Sequence, residues 1–154
     1  MIETPEITST TAEQTAVIHL TVPRDQIQLV MGPAIEEVVA VLAAQGIAPT
    51  GPLFDRHFEM NEATFDFEVG FPVASPVAPS GRVYAGELPA VTAARTVYHG
   101  GYEGLGEAWG EFDAWLQANG HVTAPGLREH FLAGPESGPD ASGWRTLLVH
   151  PLLP

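Results

Sequence analysis

The sequence predicts an α+β domain built from a duplicated strand–helix–strand–strand unit. Two observations carry that expectation. An apolar helix end closed by glycine, Leu42-Ala43-Ala44-Gln45-Gly46, recurs about 74 residues later as Leu116-Gln117-Ala118-Asn119-Gly120, and Met31, Ile35 and Val38 precede Leu105, Trp109 and Phe112 by the same interval. Downstream, Gly51-Pro52 is answered by Pro125-Gly126, and Arg56-His57-Phe58 by Glu129-His130-Phe131. Two copies are too few for a solenoid. The expected arrangement is therefore a pseudo-twofold pair sharing one antiparallel sheet, with both helices on one face and a ligand cleft on the other.

The elements follow in order. Residues 1–15, rich in Thr and Glu, read as a flexible N-terminal arm, and residues 16–154 as a single domain of two repeats, about 16–73 and 90–154. Ile18, Leu20 and Val22 alternate as in a strand. Val30, Ile35, Val38, Val39 and Leu42 recur at helical spacing from about Gln26 to Gln45, and Gly46 supplies a C-terminal stop. Strands follow at about 53–58 and 64–71, the second showing Phe65, Phe67, Val69 and Phe71 against Asp66 and Glu68. Pro72 ends it. Residues 73–89 form a Pro/Gly-rich connector with a short extended piece at 82–84. The second copy opens with a strand at 90–99, broken by Gly100-Gly101. A helix from about Tyr102 to Asn119 carries Leu105, Trp109, Phe112 and Leu116 on one stripe. Strands at 128–132 and 144–149 flank a Gly/Pro loop.

Composition narrows the function. The 154 residues suffice for one domain with a proper core. Six Lys+Arg against nineteen Asp+Glu give a net charge of −13. That surface repels phosphate backbones, so direct nucleic-acid binding is not expected; it favours cationic ligands electrostatically, although a merely solubilising acidic surface is the commoner reading. The chain has no cysteine, which removes disulfides, thiol nucleophiles and Cys-ligated zinc and fits a reducing interior. The N-terminus lacks signal-peptide character. No apolar run reaches the ~20 residues of a bilayer span, so a cytoplasmic protein without a membrane partner is expected.

Candidate chemistry concentrates in the second copy. A period-two strand sets Glu129 beside Leu127 and Phe131, where an ionised carboxylate is costly unless it serves function; a solvated edge is the plainer reading. Tyr102, Trp109, Phe112, Trp115, Phe131 and Trp144 cluster there too. Rings beside a carboxylate recognise an organic cation by quadrupole and Coulomb attraction. Trp109 and Phe112 lie on the helix stripe and read first as core. Phe58, matched to Phe131 in the first copy, joins the set. The six histidines are scattered singly, so no metal site is expected. No phosphate loop or nucleophile elbow is present, so no cofactor is expected.

The run from Val97 to Trp109, with His99, Gly101 and Tyr102 followed by Leu105, resembles the signature of GyrI-like small-molecule-binding domains, the effector-binding domains of AraC- and MerR-type multidrug regulators. Glu129-His130-Phe131 through Pro135, the closing strand Thr146–Pro151, Gly46–Pro52 and Val69–Val73 resemble further family segments, so the likeness covers about residues 16–154. The resemblance implies a duplicated fold with a central hydrophobic cleft, in which Glu129 holds lipophilic, often cationic, compounds. Phe131 stands where the family usually has Tyr, and Gly101 where Pro is common.

The expected function is a standalone sensor or sequestering module for small hydrophobic or cationic molecules, with Glu129 as counter-charge. An alternative is a hydrolase of strained electrophiles such as cyclopropane-bearing genotoxins, Glu129 acting as general base. A third is an acidic protein partner, supported by charge alone.

Overall fold

The computed structural model describes residues 1–60 and 63–153. The chain is α+β and divides into two compact units. The first is Thr11–Ala90; the second joins Met1–Thr10 to Val91–Pro154.

In the first unit, β2 (Glu13–Pro23), α1 (Ile27–Gln45), β3 (Phe54–Met60), β4 (Thr64–Pro72) and β5 (Tyr84–Leu88) follow one another. All strand pairs are antiparallel, in the order β3-β4-β2-β5. Ala34, Val38 and Leu42, spaced at the helical repeat, bury one stripe of α1 on Ala16, Ile18 and Leu20 of β2 and Phe67 and Val69 of β4. The helix ends where Gly46, at φ 67°, takes the left-handed cap position, and the Ile47 N–H donates to the Leu42 carbonyl. Together with a preceding turn, Arg24–Gln45 makes 22 residues that contain an 18-residue window of mean hydropathy 1.7, long and apolar enough to cross a membrane by length and composition. The expectation that no apolar run reaches that length is corrected here, because this window is apolar enough even with Glu36 and Glu37 inside it. Only the stripe of Ala34, Val38 and Leu42 is buried, and the rest of the helix is half-buried or exposed.

The second unit repeats the plan with β6 (Thr92–His99), α2 (Leu105–Ala118), β7 (Leu127–Ala133) and β8 (Arg145–Pro151), ordered β6-β8-β7. Ala108, Phe112 and Leu116 of α2 cover Ala94, Tyr98 and Leu148 of the sheet. Gly120, at φ 74°, and a bond from the His121 N–H to the Leu116 carbonyl repeat the first helix's ending 74 residues on.

Part of the N-terminal arm is a strand. Residues Glu6–Ser9 form β1, an antiparallel edge strand on β6, and β2 begins at Glu13 rather than 16. The Glu3 N–H donates to the Val97 carbonyl, the Thr96 hydroxyl to the Glu3 carbonyl at 2.6 Å, and Arg95 pairs with Glu6 at 2.6 Å. A strand edge presents unpaired N–H and C=O groups. The arm satisfies those of β6, which polar composition alone does not reveal. The repeat boundaries 16–73 and 90–154 therefore widen to the two units above.

Phe112 is fully buried at the centre of the second unit's core. Phe112→Ala should cost about 3–5 kcal/mol in urea unfolding, against about 0.5 kcal/mol or less for exposed Leu29→Ala. Equal costs would show that α2 does not carry that core.

Candidate functional site

The side of the sheet on which Glu129 lies follows from pairing. In β7 and β8, Glu129 stands opposite Leu148 and Phe131 opposite Thr146. Leu148 packs under α2, so alternation puts Glu129 and Phe131 on the face that carries the helix and Arg128 and His130 on the other. Glu129 is thus not on the face opposite the helix, where the cleft was expected. One partner comes from α2 itself: the Trp109 indole N–H donates to Glu129 Oε2 at 2.8 Å. Trp109 is half-buried at the margin of the helix stripe, so it serves both as packing and as a hydrogen-bond donor. His150 meets the Trp109 ring edge-on, centroids 5.7 Å apart, and its Nδ1 stands 3.2 Å from Asp113 Oδ1. Burial lowers the His150 pKa, against the opposing pull of the Asp113 charge.

One strand step further, Phe131 joins a ring cluster. Tyr102, in the turn that opens α2, meets Phe131 edge-on at 5.7 Å and Trp144 at 5.1 Å. Trp144 precedes β8, and its indole N–H donates to the Gly138 carbonyl at 3.0 Å. Burial raises the Tyr102 pKa, with the Glu136 charge adding to it. The structure thus brings together Tyr102, Phe131 and Trp144, and binds Trp109 to Glu129.

The other two candidates have ring neighbours of their own. Trp115 lies a turn and a half further along α2 and stacks on His121 at 5.7 Å. Phe58 belongs to the first unit, where it packs on His19 at 5.4 Å and under the Arg56 guanidinium at 4.7 Å.

The strand repeat needs a one-residue correction. β3 shifts register between His57 and Glu59, and β7 between Phe131 and Ala133, irregularities 74 residues apart like the helices. Glu129 therefore corresponds to Asp55 and Phe131 to His57, not to Arg56 and Phe58. Asp55 lies opposite Val69 and His57 opposite Phe67, so both face the α1 side of their sheet. Both are buried; His57 Nε2 stands 3.5 Å from Asp55 Oδ1, and its ring stacks on Phe67 at 5.1 Å. Sequence reasoning missed this acid because it aligned the identical His-Phe pairs. The helix interval of 74 carried through the loop would have found it.

The family model of the GyrI-like small molecule binding domain matches residues 3–152. Among solved structures, EcmrR in a cryo-EM complex with DNA has a TM-score of 0.84 at 20% identity, covering 98% of this chain and 57% of that one, so this chain spans little more than half of EcmrR. The EcmrR C-terminal domain alone gives 0.84 at 21% identity, with 97% and 96% covered. A hydrolase from Listeria innocua gives 0.65 at 10% identity, with 97% and 91% covered. SAV2435 bound to tetraphenylphosphonium gives 0.67 at 9% identity, with 98% and 94% covered. At these identities the likeness is one of fold. No curated protein matches the sequence significantly.

On the other face of β7, burial, and secondarily the Arg128 charge, pushes His130 down to about 4 from 6.5. The unfolded chain then binds the extra proton as pH falls through 6.5. Stability is lost between about pH 6.5 and 4, by on the order of 3 kcal/mol for this group. Urea unfolding across that window should show a steeper loss for the wild type than for His130→Gln. Parallel curves would overturn the assignment.

Proposed function

The chain belongs to the GyrI-like small-molecule-binding domain family, and we propose that it captures lipophilic organic cations with Glu129 as their counter-charge. The observation that carries this is the pairing of Glu129 with the Trp109 N–H on the helix-bearing face of its sheet, one strand step from Phe131. A half-buried carboxylate carries a desolvation cost, which an arriving cation offsets. Tyr102, Phe131 and Trp144 then supply apolar area and ring quadrupoles. Each ring over a cation contributes about 0.5–2 kcal/mol. The net charge of −13 draws cations toward the surface before they dock. SAV2435, a neighbour in fold, is described with tetraphenylphosphonium bound. Such a domain acts as a sensor or a sequestering module. Acidic charge argues against direct nucleic-acid contact by these residues.

Calorimetric titration with tetraphenylphosphonium should give an affinity roughly ten- to a hundredfold weaker for Glu129→Gln than for the wild type, in line with loss of a partly desolvated ion pair. The neutral triphenylphosphine oxide should bind both about equally. Identical tetraphenylphosphonium affinities would remove Glu129 from the site.

A second reading draws on the Listeria innocua neighbour described as a hydrolase. There Glu129 would take a proton from a water attacking a strained ring. A carboxylate among apolar groups suits a general base. Incubation with a cyclopropane-bearing electrophile distinguishes the two: turnover lost in Glu129→Gln supports the enzyme, and intact binding without turnover rejects it.

A further inference from the structure

The connection between β7 and β8 places a second carboxylate beside the same rings. Glu136 Oε1 accepts the Gly134 N–H at 2.9 Å, so its side chain is held by backbone. Its Oε2 lies 3.0 Å from the point where a Gly134 Cβ would stand, and the Tyr102 hydroxyl lies 2.3 Å from that same point. Only glycine leaves room for the hydroxyl there. The bare backbone lets Tyr102 and Glu136 converge, and the Glu136 charge is felt at the phenol, where it adds to the upward shift. Trp144, tied by its indole N–H to the Gly138 carbonyl, closes the ring cluster from the far side of the loop. Tyr102 thus neighbours Glu136 on one side of its contacts and Trp144 and Phe131 on another, and Glu129 shares a strand face with Phe131 two residues away.

We infer that the second unit is built for dicationic ligands: Glu129 pairs with one positive group, the three rings hold the apolar body, and Glu136 pairs with the other. This rests on the cation-binding reading of Glu129 and extends it to a substrate class. The two acids differ in setting. Glu129 is half-buried, whereas Glu136 is exposed. Glu129 thus contributes through desolvation, and Glu136 through a screened, longer-range attraction. Glu136 adds specificity for a second charge more than raw affinity. A monocation uses the first site only. A dication whose charges bracket an aromatic or alkyl body uses both.

The test compares p-xylylene-bis(triphenylphosphonium) with benzyltriphenylphosphonium by calorimetry on the whole chain. The wild type should prefer the dication by roughly five- to tenfold beyond the statistical factor, a preference that falls as salt rises. Glu136→Gln keeps an amide oxygen for the Gly134 N–H, and should lower that preference to near the statistical factor. Glu129→Gln should weaken both probes. A preference that is absent in the wild type, insensitive to salt, or retained in Glu136→Gln overturns the inference while leaving the Glu129 reading intact. Loss of the Glu129→Gln effect on both probes overturns that reading instead. Unfolding curves matched to the wild type show that neither variant acts through misfolding. If the Gln variant fails that check, the salt dependence of the wild-type preference decides.

Discussion

A β-strand alternates its side chains, so the side chosen by one residue settles the side of every other. In β7 that choice is set by Leu148 of β8, which packs beneath α2 and stands opposite Glu129. A carboxylate then has to lie on the face that the helix covers. Such a group loses part of its hydration and needs a donor in return. Trp109 provides it from the margin of the helix stripe. Helix packing, strand register and the site's charge are thus one constraint. A shift of one residue in the β7–β8 register would send Glu129 to the opposite face and bring His130 under the helix.

Within that constraint the second unit separates rigid parts from adaptable ones. Trp109 is anchored by packing and by its bond to Glu129. The Tyr102–Phe131–Trp144 cluster is assembled from a helix-opening turn, a strand and a loop end, each held by its own backbone bonds. Rings fixed in advance lose little freedom when a ligand arrives, so more of the contact energy reaches affinity. In the proposed function, flat aromatic surfaces tolerate varied apolar bodies, while the carboxylate selects a positive charge. This combination is broad in shape and narrow in charge, a recognition mode suited to lipophilic cations.

The two units show how a duplication diverges without losing its frame. Helix ends, left-handed glycines and strand irregularities all keep the interval of 74 residues. At the position facing the helix, both copies hold an acid, Asp55 and Glu129. Their neighbours differ. Asp55 has a histidine that stacks on phenylalanine, while Glu129 has an indole donor and a phenylalanine within a ring cluster. Divergence therefore lies in what surrounds the carboxylate, not in whether one is present.

Periodicity and glycine placement were enough to read both helices, six of the eight strands and the duplicated order, because burial of one face imposes those patterns locally. The aromatic wealth of the second copy and Glu129 itself were legible for the same reason. Three things were not. The N-terminal arm looks polar and featureless, and only the open edge of β6 makes it a strand. The face occupied by Glu129 depends on which strand lies beside β7 and in what register, a non-local pairing that no residue encodes alone. The grouping of Tyr102 with Phe131 and Trp144, and the exclusion of Trp115, depend on where chain segments 29 and 13 residues apart are brought together. Sequence determined the elements and the chemical inventory, since each follows from neighbours along the chain. Tertiary structure decided which side chains meet, since that is settled by strand pairing and helix docking across the chain.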